Sequence, residues 1–432
     1  MKRISLLLVS FCLAHSLLSQ PIEKIIKPEE VLRIETMLAS DEMQGRRTFT
    51  PGIDKAAAFI AAEFAAMKIE PYPGTQQYLQ TFSMLRPKFL GVTARVNGLE
   101  LDAKNVVVVT CKDTLHITEQ SGYEQVKIAA GENLSAQARK FINAKKNYIV
   151  LVDSSFAANF NMLTRFKSQL YQSNFSTVFI LSAQPILELD ITATHSFTRQ
   201  TLQNVAAIIP GKSRPNEYVI FSGHYDHLGV MSKDRQGNVL TDSIFNGAND
   251  DAAGTTAMLM LAKYFSKVKE NDRTLIFVAF TAEEVGGFGA TFFSNQLNPD
   301  EIVAMFNIEM IGTESKWGKN SAYITGYEKT NMGDILQKNL EGTGFNFYPD
   351  PYTTQNLFYR SDNATLARLG VPAHTISTSK MDNEPNYHKA SDEVSTLDIE
   401  NMTMIIKSIA LSARSIISGK DTPSRVDTKA LK

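Results

Sequence analysis

The sequence predicts an α/β protein: a doubly wound, mixed but mostly parallel sheet with helices on both faces, plus an inserted β-rich subdomain. Three observations predict it. Short apolar runs of the kind that form strands covered on both faces recur at 218–221, 275–280, 303–306 and 371–376. Between the first two, Ala257, Leu261, Ala262 and Phe265 form one helical stripe within 252–268. Strand, helix, strand implies parallel pairing through a right-handed crossover. The stretch from about Arg86 to Thr201 departs from this alternation, with strand-like runs at 106–110, 148–152 and 177–181.

Taken in chain order, residues 1–19 read as a secretory signal peptide: Lys2 and Arg3 precede the mostly apolar 4–18, and Ser19 offers a cleavage position. His15 and Ser16 interrupt a run already shorter than the roughly 20 apolar residues a membrane span needs. The expected protein is exported, periplasmic or extracellular, with no membrane span in the mature chain. Residues 20–85 form the N-terminal helical part of the catalytic domain. There Ile34, Met37 and Leu38, then Ala58, Ile60, Phe64 and Met67, recur at helix spacing around a loop with Gly45, Arg46, Arg47, Pro51 and Gly52. The inserted subdomain spans 86–200, the catalytic domain resumes over 201–418, and 419–432 is a polar tail expected to be mobile.

Composition excludes several classes. With 43% hydrophobic and 21% charged residues the chain is an ordinary globular one. Its 44 basic against 45 acidic residues provide no global basic field to concentrate nucleic acid. Cys12 leaves with the leader and Cys111 then stands alone, so no intramolecular disulfide is expected.

Ligands in open α/β sheets bind outside the carboxyl ends of strands. Those positions are acidic and histidine-bearing: Ser222-Gly223-His224-Tyr225-Asp226-His227, Asn246 to Asp251 before the crossover helix, Glu283 and Glu284, Glu309, and Asn386-Tyr387-His388. Each alone has a plain explanation, since Asp250 and Asp251 could cap a helix and a loop histidine is commonly a surface residue. Jointly they put carboxylates and imidazoles on one rim. Converging carboxylates repel one another and raise each other's pKa unless cations neutralise them, and two histidines with oxygen donors suit zinc. A bridging carboxylate holds two ions roughly 3.5–4 Å apart. Asp226 suits the role of orienting His224, and Asp392 could do the same for His388. No Gly-x-Ser-x-Gly elbow supports a serine hydrolase.

His224-x-Asp226, Asn249-Asp250-Asp251-Ala252-Ala253-Gly254, Glu283-Glu284 with Gly286, Asn307-Ile308-Glu309-Met310-Ile311-Gly312 and Tyr387-His388 resemble the co-catalytic di-zinc peptidases of metallopeptidase family twenty-eight. That family includes leucyl aminopeptidases, glutamate carboxypeptidases and glutaminyl cyclases. The resemblance covers about 200–415 and implies the zinc-exopeptidase fold; Gly45-Arg46-Arg47 is similar too, less specifically. It implies that His224 and Glu309 bind one zinc, that Glu284 and His388 bind the other, and that Asp250 bridges them across a cis Asp250–Asp251 bond. Glu283 would be the general base for a zinc-held water, Asp226 the orienter of His224, and Tyr387 a donor to the oxyanion. The family usually has Asp where this chain has Glu309, and His where it has Asn363. The implied function is a secreted di-zinc exopeptidase, an aminopeptidase acting on peptides. The alternatives are a glutaminyl cyclase-like acyltransferase using one zinc, or a non-catalytic binding ectodomain on a peptidase fold. Trp317, the only tryptophan, supplies little aromatic material for a cyclase pocket.

Overall fold

Helix α1 (Pro28–Leu38) opens on a proline at its first turn with Glu29 and Glu30 beside the positive end of the helix dipole, and buries Val31, Ile34, Glu35 and Leu38. A 3-10 turn over Asp41–Arg46 leads to α2 (Pro51–Met67), again entered through proline and closed by Lys68 in the left-handed conformation. The computed structural model describes residues 22–431 except Ala183 and 234–236, so the signal-peptide reading of 1–19 lies outside the described residues. Contacts divide the chain into two compact units, one made of residues up to Thr81 and from Leu202 onward, the other of Phe82–Thr201. Among the described residues no helix is long and apolar enough to cross a membrane.

The first unit is organised by a mixed sheet. Its strands are β1 (Leu79–Val96) and β2 (Leu189–Ile209), both shared with the second unit, then β3 (Arg214–His224), β4 (Arg273–Phe280), β5 (Ile302–Ile308), β6 (Ser321–Ile324), β7 (Asn346–Pro349) and β8 (Ala373–Ser377). Their order is β7-β6-β8-β5-β3-β4-β2-β1. The pairs β3–β4, β3–β5, β5–β8 and β6–β7 are parallel, whereas β2–β4 and β6–β8 are antiparallel. This is the expected mixed, mostly parallel sheet.

Strand alternation explains why both faces are covered. Val219, Phe221, Leu275, Phe277, Ala304 and Phe306 point into a cluster shared with α1, α2, α3 (Ala253–Val268) and α6 (Ile399–Ser412). Their neighbours Ile220, Ile276, Val278, Phe280 and Met305 point the other way, against Ala290 and Phe293 of the short helix α4 (Phe288–Ser294) and against Leu366. Phe221 pairs in register with Phe277 and Phe306, and the three rings stack at 5.5 and 4.9 Å. Helix α5 (Met332–Asn339) buries Met332 and Leu336 in the first cluster.

Gly223 and Gly254 set how closely α3 approaches the sheet. A Cβ on Gly223 would lie 2.7 Å from the Gly254 carbonyl carbon, and one on Gly254 would lie 2.1 Å from the Ile308 oxygen. Only glycine permits that approach. It brings the start of α3 against the ends of β3 and β5.

In the second unit, Val106–Val109, Thr177–Leu181, Tyr148–Val152 and Glu124–Ile128 form a four-stranded sheet in that order, with only the first pair antiparallel. Leu134 and Phe141, from a helix over Leu134–Asn143, enter its core beside Phe160 and Leu163. Cys111 is the free cysteine here; its half-buried thiol donates to the Tyr171 oxygen.

The expectation of a mobile tail is corrected. Arg273, 1% exposed, donates to the oxygens of Ile416 and Asp421 and to Thr422 Oγ1, while Val426 is buried and its N–H binds the Gly370 oxygen. One buried guanidinium and one apolar contact dock a segment whose composition alone reads as solvated.

Candidate metal centre

Each expected donor stands where a strand or turn of the first unit delivers it. His224 is the last residue of β3 and Glu309 follows β5, its N–H bonded to the Ile376 oxygen. Asp250 lies in the turn before α3, and the Asp250–Asp251 bond is cis. Glu283 and Glu284 follow β4, and Tyr387 and His388 lie in the loop after β8. The structure brings donor atoms of His224, Asp250 and Glu309 within 4.8 Å of one another, and likewise those of His227, Asp250 and Glu284. Asp250 belongs to both groups. His224 Nε2 lies 3.2 Å from Asp250 Oδ1, and His388 Nε2 lies 3.2 Å from Asp250 Oδ2 and 3.1 Å from Glu284 Oε1.

Hydrogen bonding tests whether these residues fit a metal. His224 Nε2, both nitrogens of His227, Glu284 Oε1 and Glu309 Oε2 are buried without a hydrogen-bond partner. Buried polar atoms are normally paired, so unpaired imidazole and carboxylate donors aimed at one another fit cations between them. The His224 Nδ1 faces the Asp226 backbone oxygen at 3.0 Å. A carbonyl only accepts, so Nδ1 carries the proton and Nε2 keeps its lone pair for a metal.

That contact refines the role expected of Asp226. Its carbonyl orients His224, whereas its carboxylate, 3.8 Å from Nδ1, accepts the N–H groups of Glu283 at 2.9 Å and Glu284 at 3.3 Å. Asp226 thus fixes the backbone of both glutamates. Asp392 accepts from the N–H groups of Asn249 and Asp250 at 2.8 and 3.0 Å, so its carboxylate holds the turn that carries the shared donor. Asn363 serves the fold, binding the oxygens of Phe358 and Ala373.

Sequence reasoning left several residues without a role. His227 is 1% exposed, with Nδ1 3.0 Å from Glu284 Oε1. Its place three residues after His224 was the available signal. Asp251 accepts from the N–H groups of His224, Gly254 and Met310 at 3.1, 3.0 and 3.1 Å, tying three motifs to one carboxylate. Arg46 is fully buried and donates to the oxygens of Leu38, Tyr225, Asn246 and Gly247, joining the turn after β3 to the turn before α3. Asp362 is buried with neither carboxylate oxygen hydrogen-bonded.

Electrostatics follow from this crowding. Burial, then the charges of Glu309, Asp362 and Glu284, push the Glu283 carboxyl well above its usual range against the pull of His224. Burial and Asp250 raise Glu309, and burial lifts Asp362 to about 8. Against burial, Asp250 and Glu284 raise the His388 imidazole to about 9. Glu283, Glu309 and Asp362 resist ionising, while nearby imidazoles hold Asp250 and Glu284 below their usual range, the response expected of a carboxylate cluster that draws in positive charge. Beside it opens a cleft lined by Tyr323, Leu357, Arg360, Met381 and Tyr387, with Arg360 Nη2 donating to Tyr387 Oη at 3.4 Å.

Residues 204–413 match Peptidase family M28. Aminopeptidase YwaD of Bacillus subtilis (strain 168) is 31% identical over 130 residues, 29% of this chain and 25% of that protein. Aminopeptidase Y of Saccharomyces cerevisiae is 29% identical over 191 residues, 39% of this chain and 34% of that protein. The chain spans about a quarter to a third of the length of these relatives. In fold it is similar to an aminopeptidase from Aneurinibacillus sp. strain AM-1, with a TM-score of 0.54, 17% identity and coverage of 95% of this chain and 98% of that one. A zinc aminopeptidase from Bacillus subtilis gives a TM-score of 0.54 at 17% identity over 93% and 98% of the two chains. Across residues 204–413 this chain therefore carries a domain of Peptidase family M28.

Proposed function

We propose that the protein is an exported di-zinc aminopeptidase that hydrolyses N-terminal residues from peptides. The observation that carries the reading is the pair of donor groups sharing Asp250, with Glu283 beside them. The names of the relatives, aminopeptidases of two organisms, support the exopeptidase class. His224, Asp250 and Glu309 would hold one zinc ion, and Asp250, Glu284 and His388 would hold the other. When bound, the ions supply Lewis-acid polarisation of the scissile carbonyl and acidify a water.

The chain's own residues do the rest. Glu283, its backbone held by Asp226, takes a proton from the attacking water and passes it to the leaving amine. Tyr387 accepts from Arg360 and keeps its own O–H for the developing oxyanion. Leu357, Met381 and Tyr323 give one side of the cleft an apolar wall for a substrate side chain. Trp317 stacks on Tyr348 at 4.3 Å and is not among the cleft residues, so it gives a cyclase reading no support.

The test is hydrolysis of fluorogenic aminoacyl amides by the zinc-loaded full chain. Cleavage that disappears when the substrate amine is acylated is the expected result; cleavage only at free carboxyl termini, or none, overturns the reading. Export is tested by sequencing the N-terminus of protein recovered outside the producing cytoplasm.

A further inference from the structure

His227 is a buried imidazole with no hydrogen-bond partner on either nitrogen, a costly arrangement unless something else meets its lone pair. Gly247 packs against it so tightly that an added Cβ would lie 2.5 Å from the ring, and the His227 N–H is held by the Arg46 oxygen. Nδ1 lies 3.0 Å from Glu284 Oε1 and 3.9 Å from Asp250 Oδ2. His388 Nε2 approaches the same two oxygens at 3.1 and 3.2 Å, and the two rings meet edge to face with centroids 5.8 Å apart. Two imidazoles therefore converge on one pair of carboxylates. Around Glu309 the only imidazole in the donor group is His224.

Building on the zinc reading above, we propose that His227 is a sixth metal ligand of this chain, donating Nδ1 to the ion held by Glu284 and His388. The two positions then differ in kind. The second has four protein donors, Asp250, Glu284, His227 and His388; the first has three, His224, Asp250 and Glu309. Four protein donors close a tetrahedral zinc site, whereas three leave a place for substrate or water. The second position would then be closed by protein donors, and small ligands would exchange at the first.

The experiment uses the full chain loaded with cobalt(II) alone. Hyperfine-shifted imidazole N–H resonances count the ligating histidines without any substitution. Three such resonances, with two ions bound, are expected. Two resonances with two ions bound overturn the inference and leave the di-metal reading intact; failure to take up metal overturns both. A second arm compares His227→Ala with the parent by metal titration. Affinity for one of the two ions should fall by at least about tenfold to a hundredfold, the loss already seen when groups supporting a ligand are removed. The visible spectrum of that ion should change, while the other ion stays bound. Unchanged affinity and spectrum for both ions in a folded variant overturn the assignment of His227.

Discussion

His227 and His195 are both buried, and neither ring has a hydrogen-bond partner, yet their surroundings are opposite. His195, in the second unit, lies between Phe89 and Phe197 at 5.5 and 6.0 Å. The Lys167 ammonium sits over the same Phe89 ring at 4.2 Å. Burial and that cation lower the His195 pKa, so it remains a neutral ring packed among aromatics. His227 faces Glu284 and Asp250, and its neighbour His388 is raised to about 9 by those carboxylates. An unpartnered buried histidine is therefore not in itself a metal ligand. The sign of the charge around it decides, because only anions oblige a cation to enter.

The comparison is sharpened by removing charge from the acidic side. The largest effect expected is that of Glu283→Gln, which keeps shape and bound metal but removes the base. Turnover should fall by at least about a hundredfold and by as much as about ten-thousandfold. Near-normal kcat in a fully metallated variant would falsify the mechanism.

Arg46→Met removes the cation that holds four backbone oxygens under the site, and leaves Asp226, Asp250 and Asp392 without it. Denaturant unfolding should show a loss of about 3–5 kcal/mol. Lysine at this position should restore little, since three donors on a flexible stem cannot reproduce the guanidinium fork. Full rescue by lysine would mean that charge alone, not the planar geometry, is what the site requires.

Chelation should lower the melting temperature, because ions bound only to the folded state contribute about 2.7 kcal/mol at a hundredfold excess over Kd. An unchanged melting curve after verified metal removal contradicts the idea that the carboxylates depend on cations. Glu309→Ala should leave about one ion per chain by elemental analysis, as the first position loses one of its donors. Two retained ions would remove Glu309 from the centre.

The smallest effect belongs to the aromatic cage. With its folded pKa depressed below the ordinary value of 6.5, His195 binds fewer protons folded than unfolded, so stability falls as pH drops through and below about 6.5. His374 acts in the same sense, at about 4. His195→Phe should flatten the decline in melting temperature between neutral and mildly acid pH without altering metal content. A variant that loses metal would break the contrast between the two histidines.

The amino-acid sequence by itself determined which strands carry the centre and in which order its donors arrive. Apolar runs ending in His224, Glu283 and Glu309 are legible because a strand covered on both faces is nearly all apolar and a strand's end is where polarity returns. Ala252-Ala253-Gly254 likewise announces a tight helix start. Partnership was not legible, since a hydrogen bond depends on segments far apart in the chain. Asp392 stands four residues from His388 yet serves Asn249 and Asp250, and the Asp226 carboxylate serves the backbone of Glu283 and Glu284 rather than the imidazole two residues before it. The tail after Gly419 reads as solvent-exposed until the buried Arg273 binds its Asp421 carbonyl and Thr422 hydroxyl. His227 follows the same logic: spacing placed it near the rim, but its approach to Glu284 joins segments far apart in the chain, a contact that local sequence does not encode.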